Sequence, residues 1–254
     1  HYQTTPGETW DYTATQPMIL ADLPLGGQTR KVILHAPKNG FFFVIDRTNG
    51  QFISAKNFVD VNWASGYGAT GRPIVNPQAR ATDKPFEVVP SAYGARNWHS
   101  MSFNPQTGLV YMPVQGVPLT LMDDKAWSMN SNSPGQPMSG LGWNTAKLAN
   151  VEPPQTKPFG RLLAWDPVAQ KEVWRQEQVS PWNGGTLSTA GDLVFQGTAD
   201  GQFVAYPAKT GQKLWETPTG TGVVAAPVTY LVDGRQYVSI AVGWGGVYGK
   251  ATRH

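Results

Sequence analysis

Residues 162–174 read LLAWDPVAQKEVW and residues 203–215 read FVAYPAKTGQKLW, and these two stretches decide the fold. They align without a gap at an offset of 41 residues, so that Trp174 corresponds to Trp215. Residues 42–52, FFVIDRTNGQF, repeat the same strand and turn without the final tryptophan. Each copy has the pattern of a β-hairpin, in which two strands are joined by a short turn. The sequence therefore contains an internal repeat.

Further short strands separate these hairpins. Residues 191–197, GDLVFQG, precede a turn at residues 199–201, and residues 237–242, YVSIAV, follow a turn at Asp233 and Gly234. Four short strands in each period of about 40 residues predict the blade of a β-propeller. We expect the terminal tryptophans to pack between neighbouring blades. A β-sandwich or a barrel is the alternative, although neither requires a periodic tryptophan.

The composition agrees with an all-β protein and excludes several functions. Glycine (28 residues) and proline (21) are abundant, and only 15% of the 254 residues are charged. The net charge is +3, but no run of basic residues is present that would follow a phosphate backbone, so we expect no nucleic-acid partner. No apolar stretch reaches the roughly 18 residues of a membrane span. The absence of cysteine excludes disulfides and haem attachment within this stretch.

Two stretches depart from the repeat. Residues 66–92 and 115–160 are rich in Pro, Gly, Asn and Ser and show no helical or strand period. Irregular segments of this length are commonly functional or disordered. We interpret residues 115–160 as a long ordered excursion over one face, because Trp127, Leu141 and Trp143 favour packing. A linker between two domains is the alternative.

Five short motifs carry a resemblance to a known family. They are GETWDY at residues 7–12, HAPKNG at 35–40, YGARNWHSMS at 93–102, PWNGGT at 181–186 and AVGWGG at 241–246. In this order and spacing they resemble the PQQ-dependent alcohol dehydrogenases, which are eight-bladed propellers, and especially the soluble quinohaemoprotein members. The resemblance covers residues 1–254 and implies about half of such a propeller, namely the C-terminal half of the catalytic domain of a periplasmic enzyme.

The resemblance implies a role for two charged residues. Asp11 is expected to be the general base that takes the hydroxyl proton of the alcohol, and also a calcium ligand. Lys38 follows 27 residues later and is expected to stabilise negative charge on the quinone. Taken alone, Asp11 is typical of a turn or cap residue and Lys38 of a solvated turn. The neighbouring motifs favour the functional interpretation.

The other motifs are expected to hold PQQ. Asn97 offers an amide for the polar rim of the cofactor, and Trp98 offers ring area. Trp182, Val242 and Trp244 lie beside glycines that allow the main chain to approach a flat ligand, although β-bulges at blade corners are the alternative. We do not expect His99 to act as an acid or base. The chain has only four histidines, and none form a pair at metal-ligand spacing.

The resemblance further implies PQQ and calcium as cofactors, an alcohol substrate, and cytochrome c or a fused haem c domain as electron acceptor. Most calcium ligands are expected in the N-terminal half of the propeller, outside this chain. Lanthanide-using relatives carry an Asp two residues after the base, where this chain has Thr13. The resemblance therefore favours calcium over a lanthanide as the metal. A non-catalytic envelope scaffold, or a PQQ methanol or sugar dehydrogenase, is the alternative function. The isolated chain is expected to be inactive, because half a propeller has open sheet edges.

Overall fold

The computed structural model describes residues 1–80, 84–122 and 156–245. In these ranges the chain forms eighteen β-strands and a short 3-10 helix, Pro77–Ala79. The strands are β1 (Ile19–Leu25), β2 (Gln28–His35), β3 (Phe41–Asp46), β4 (Phe52–Asn57), β5 (Ala64–Tyr67), β6 (Pro73–Val75), β7 (Phe86–Val88), β8 (Ser102–Asn104), β9 (Leu109–Gly116), β10 (Leu119–Leu121), β11 (Phe159–Asp166), β12 (Lys171–Gln178), β13 (Thr186–Thr189), β14 (Leu193–Gly197), β15 (Gln202–Pro207), β16 (Trp215–Pro218), β17 (Val228–Val232) and β18 (Arg235–Ser239). No helix in the described ranges is long and apolar enough to cross a membrane.

Three four-stranded antiparallel sheets form the framework. Blade 1 has the order β1-β2-β3-β4, blade 2 the order β8-β9-β11-β12, and blade 3 the order β13-β14-β15-β16. The hairpin β17–β18 follows blade 3. Each strand of a blade pairs with the previous one in the same blade, as the repeat predicted. The all-β fold with four-stranded blades is therefore confirmed.

Blades pack face to face through alternating apolar side chains. In β3, Phe42 and Val44 face blade 2, and the Phe42 ring lies 5.9 Å from the ring of Trp165 in β11. Their neighbours Phe41 and Phe43 face the opposite side, where they join the buried Trp63. Because successive side chains of a strand point to opposite faces, a strand buried on both faces reads as a continuous apolar run. This explains the unbroken sequence FFFVI.

Trp174 joins blades 2 and 3. Its indole N–H donates to the Ala208 carbonyl oxygen (2.9 Å) in the turn between β15 and β16, and its ring lies over Gly211 in the same turn. A Cβ atom on Gly211 would come within 2.3 Å of the Trp174 ring. The predicted packing of tryptophan between blades is confirmed for Trp174. Trp215 remains 48% exposed and contacts Phe203 of its own blade.

We expect Gly211→Ala to destabilise the complete protein that carries this chain by about 2–5 kcal/mol. The left-handed φ of +69° penalises any Cβ by about 1–2 kcal/mol, and overpacking against the Trp174 ring adds about 1–3 kcal/mol. Gly50 is a matched control, because it occupies the corresponding turn of blade 1 with φ +77° and nothing within 4 Å. Chemical denaturation of both variants measures the difference. Equal losses for Gly50→Ala and Gly211→Ala would contradict the packing role of Trp174.

The prediction for residues 66–92 is wrong in one respect, because short strands form there. In that stretch β6 pairs with β5, and β7 pairs with β10, which lies at the start of the second irregular stretch. Both pairs are too short to give a visible period, and β7 and β10 are also distant in sequence. The central part of the predicted excursion, residues 123–155 with Trp127, Leu141 and Trp143, lies outside the described residues.

Candidate functional site

The five motifs lie at the same end of their own sheets. Asp11 precedes β1 and Lys38 follows β2, while Asn97 precedes β8 and Trp182 precedes β13. Trp244 follows β18. The first two strands of each sheet are antiparallel, so the start of the first strand and the end of the second strand lie at the same end of the sheet. The topology therefore places each predicted site residue at equivalent blade ends.

Asp11 is fixed by its two aromatic neighbours. Trp10 and Tyr12 are buried (1% and 2% exposed), and each donates its polar side-chain hydrogen to a backbone carbonyl elsewhere in the chain. The Glu8 carboxylate accepts from the backbone N–H groups of Trp10 (2.8 Å) and Tyr12 (3.1 Å). Asp11 itself has a left-handed φ of 62°, which is uncommon for a residue other than glycine. Its carboxylate is thus held at a defined position.

Lys38 contacts Asp11 directly. Its Nζ donates to the Asp11 carboxylate oxygen Oδ2 (3.1 Å) and to the Asp11 backbone oxygen (2.9 Å). The Lys38 side chain is only 10% exposed and that of Asp11 is 29% exposed. A further N–H of the ammonium group stays available for a ligand. The alternative of a solvated turn lysine is therefore wrong.

The turn that carries Lys38 is held by the segment before β8. Ala95 donates its backbone N–H to the Lys38 carbonyl oxygen (2.9 Å). At Gly94, which has φ +79°, a Cβ would lie 2.6 Å from Cγ of Lys38. Only glycine fits this position, because a larger residue would displace the lysine. The motif at residues 93–102 therefore packs against the motif at residues 35–40 and holds the Lys38 turn in place.

Asn97 and Trp98 follow in this same segment. The Asn97 amide donates to the Tyr93 carbonyl oxygen (3.0 Å) and accepts from the Trp98 backbone N–H (2.8 Å). One N–H and one lone pair of the amide remain for a ligand. Trp98 is 45% exposed, and its ring stacks on His99 at a centroid distance of 4.2 Å.

His99 connects Trp98 to Trp182. The His99 ring meets the Trp182 ring edge to face, with centroids 4.8 Å apart. Burial, with a smaller contribution from Arg96, lowers the pKa of His99 to about 3. The ring is therefore neutral at the pH values at which proteins usually work. The expectation that His99 is not an acid or base stays a prediction.

A second buried histidine makes stability sensitive to acid. Burial, with a smaller contribution from Arg96, lowers the pKa of His35 to about 4, and neither ring nitrogen has a hydrogen-bond partner in the described structure. Below the unfolded-state pKa of about 6.5, the unfolded chain binds the proton first, so stability falls as the pH drops from about 6.5 towards 4.

We expect protonation of His35 to lower the free energy of unfolding of the complete protein by about 2 kcal/mol between pH 7 and pH 5. In His35→Leu this part of the loss should be absent. At pH 7 the change should cost less than about 1 kcal/mol, because a buried imidazole without partners gains little from its nitrogens. Denaturant titrations at both pH values measure the difference. The exposed His1 provides the control, since His1→Leu should keep the wild-type pH dependence. An unchanged pH dependence in His35→Leu would contradict the account.

Trp182 and Trp244 lie in the more distant part of the site. Trp182 is buried and has a left-handed φ of 72°. Trp244 packs on Gly222, where a Cβ would come within 2.3 Å of its ring. Val242 is 46% exposed, and Gly246 of the same motif lies outside the described residues. Contacts thus connect Asp11, Lys38, the segment before β8 and Trp182, whereas Trp244 is placed against the loop before β17.

Candidate metal ligands are not grouped around Asp11 among the residues that the structure describes. Among the described residues, no cluster of three or more His, Cys, Asp or Glu side chains has the geometry of a metal site. Calcium prefers oxygen ligands and takes several of them. The role of Asp11 as a calcium ligand remains a prediction.

The sequence did not point to Asn39 or Arg96. Asn39 is fully buried; its carbonyl accepts from the Trp63 indole, and its side chain donates to Thr5 Oγ1 (3.0 Å). Arg96 is also fully buried. Their position inside two of the five motifs was the only available signal, because polar side chains of both types are mostly exposed.

Comparison with known proteins places this geometry in a family. The family model described as "Glucose/ethanol/alcohol dehydrogenase, beta-propeller domain", with the short name PQQ, matches residues 1–62 and 67–238. The quinohemoprotein alcohol dehydrogenase of Comamonas testosteroni is 73% identical over 253 residues, which are 100% of this chain and 36% of that protein. The 1-butanol dehydrogenase (cytochrome c) of Thauera butanivorans is 64% identical over 100% of this chain and 37% of its own length.

Solved structures of similar dehydrogenases have the same fold as this chain. The crystal structure of the Comamonas testosteroni enzyme superimposes with a TM-score of 0.93 at 72% identity, over 98% of this chain and 37% of that one. A europium-containing methanol dehydrogenase gives a TM-score of 0.83 at 31% identity, over 98% of this chain and 43% of that one. The chain thus spans about a third of the length of the curated relatives it matches. On the family-model match and these identities, the chain belongs to the PQQ-dependent glucose/ethanol/alcohol dehydrogenase β-propeller family.

Proposed function

We propose that the complete protein carrying this chain oxidises alcohols to aldehydes with PQQ and calcium, with Asp11 as the general base. The observation that carries the proposal is the contact between Lys38 Nζ and Asp11 Oδ2 (3.1 Å). It joins two motifs 27 residues apart, the carboxylate and the cation that the reaction needs. The names of the relatives, which are quinohemoprotein and butanol dehydrogenases, support the same activity.

The donor groups of this chain fit PQQ, which is a flat quinone with several carboxylates. Lys38 supplies a cation that is almost fully buried, and Asn97 keeps a free N–H and a lone pair. Trp98 presents a half-exposed ring for contact with a flat ligand. Such a set of cation, amide and aromatic ring is typical of a pocket that orients an anionic planar cofactor.

When bound, PQQ would supply the hydride acceptor for the carbinol carbon, and calcium would supply a Lewis acid. The Asp11 carboxylate takes the hydroxyl proton of the alcohol. Lys38 holds Asp11 in place through the Asp11 backbone oxygen, and its remaining N–H stabilises negative charge at the quinone oxygens. Asn97, Trp98, Trp182, Val242 and Trp244 hold the cofactor.

The partners and location are also proposals. We propose that electrons leave to cytochrome c or to a haem c domain of the same protein, and that the protein works in the periplasm. The names "quinohemoprotein" and "cytochrome c" among the relatives support the haem partner. We further propose that the N-terminal part of the propeller covers the β17–β18 hairpin, where Val228 and Leu231 are 58% and 72% exposed.

The test is reconstitution of the complete protein with PQQ and calcium, followed by dye reduction with ethanol, 1-butanol, methanol and glucose. We expect turnover with the primary alcohols ethanol and 1-butanol, and none without PQQ. Preference for glucose or methanol would instead favour the alternative sugar or methanol dehydrogenase. A protein that binds no PQQ and turns over none of these substrates would favour the scaffold alternative and overturn the proposal.

A further inference from the structure

Arg96 is a buried cation whose role the proposed reaction does not explain. Its side chain is fully buried, and within residues 1–80, 84–122 and 156–245 it forms no ion pair with a carboxylate. Burial lowers the pKa of Arg96 to about 9, so the guanidinium group is still charged at neutral pH. A buried charge without a counter-ion is costly and is rarely present without a specific reason.

The hydrogen bonds of Arg96 indicate that reason. One terminal nitrogen donates to the Ala36 carbonyl oxygen (3.0 Å) and the other to the His99 carbonyl oxygen (2.7 Å). Ala36 lies two residues before Lys38 at the end of blade 1, and His99 lies two residues after Asn97 at the start of blade 2. The planar guanidinium group therefore connects two segments that are proposed to bind the cofactor.

His99 carries this connection to blade 3. Its ring contacts both Trp98 (4.2 Å, stacked) and Trp182 (4.8 Å, edge to face), so that His99 links the two indoles. We call Trp98, His99 and Trp182 the aromatic stack. Blades 1, 2 and 3 thus all meet through Arg96 and the aromatic stack.

We infer that Arg96 is a positioning residue, which holds the Lys38 turn and the aromatic stack in the relative arrangement that PQQ binding requires. This inference rests on the proposed function. A lysine at position 96 keeps the charge but has no rigid fork to bridge two carbonyl oxygens. A methionine keeps much of the volume without the charge.

The test uses the cofactor-free complete protein with Arg96→Lys and Arg96→Met, titrated with PQQ in the presence of calcium and followed by tryptophan fluorescence. We expect the Kd for PQQ to rise at least about ten-fold in both variants, while kcat at saturating PQQ stays within about three-fold. The near-UV circular dichroism of the cofactor-free protein should also change, because two tryptophans of the aromatic stack lose their fixed surroundings.

Arg161 pairs with Glu177 on the surface (2.9 Å), so Arg161→Met is the matched control and should bind PQQ like the wild type.

A second pair of variants keeps the inference testable if Arg96 variants do not fold. His99→Ala removes the central ring of the aromatic stack and should weaken PQQ binding about ten-fold. His99→Phe keeps a neutral ring and should stay within about three-fold of the wild type. A loss of kcat of about 100-fold in His99→Phe with PQQ bound would make His99 a reacting group and overturn the inference.

The outcomes distinguish a failure of the proposed function from a failure of the positioning role of Arg96. Wild-type protein that binds no PQQ would overturn the proposed function, and the inference with it. Wild-type protein that binds PQQ, together with unchanged affinity in Arg96→Lys or in His99→Ala, would overturn the inference alone. Weaker binding in these variants, with wild-type affinity in Arg161→Met and His99→Phe, supports it.

Discussion

Asp11→Asn is expected to lower kcat for alcohol oxidation by about 1,000-fold in the complete protein reconstituted with PQQ and calcium. The amide of asparagine cannot take the hydroxyl proton. Asparagine is the suitable replacement, because it tolerates the left-handed φ of 62° at this position better than most residues. It also keeps the Asp11 backbone oxygen that accepts from Lys38. Steady-state dye reduction with a primary alcohol measures the loss.

Asp22 provides the matched control for this prediction. It is an aspartate of β1 in the same blade, with a side chain 52% exposed and paired with Arg47 at 3.0 Å. Asp22→Asn should leave kcat within about two-fold, since exposed ion pairs contribute at most about 1 kcal/mol to stability. If Asp11→Asn and Asp22→Asn were equally active, Asp11 would not be the general base.

Lys38→Met is expected to lower kcat by about 100-fold or more. The substitution removes the cation next to the proposed quinone and also both hydrogen bonds that fix Asp11. It also leaves the half-buried Asp11 carboxylate, whose side chain is 29% exposed, without its ion-pair partner. The measurements are kcat at saturating PQQ and the Kd for PQQ, which should rise as well.

Lys213 is the control for the loss of a lysine ion pair. It is exposed and pairs with Glu216 at 2.9 Å, so that Lys213→Met breaks a comparable contact outside the site. We expect Lys213→Met to keep wild-type kcat and wild-type PQQ affinity. Wild-type kcat in Lys38→Met would remove the lysine from the proposed mechanism.

The blades were predictable from the sequence because their signal is local and repeated. The strand, turn and strand of residues 162–174 recur at residues 203–215 and became β11–β12 and β15–β16. A register shift between β3 and β4 at Val44/Ile45 recurs between β11 and β12 at Ala164/Trp165. The paired short strands β7 and β10 were not predictable, since three residues carry too little periodicity and their partners are distant in sequence.

The site was predictable only in part. The motifs identified Asp11 and Lys38, and their contact at 3.1 Å agrees with the expectation that they act together. The left-handed backbone of Asp11 and the burial of Arg96 were not predictable, because both depend on residues from several segments. An arginine in a loop is usually exposed, and no local pattern distinguishes one that bridges the Ala36 and His99 carbonyl oxygens.

The most direct test of the central claim is a single-turnover measurement. The complete protein and its Asp11→Asn variant are loaded with PQQ and calcium, mixed with a primary alcohol without oxygen or dye, and followed by the absorbance of the bound cofactor. We predict that the wild type reduces its PQQ within the time of one turnover, whereas Asp11→Asn binds PQQ but leaves it oxidised about 1,000 times longer. Reduction of PQQ by Asp11→Asn at the wild-type rate would contradict the assignment of Asp11 as the base.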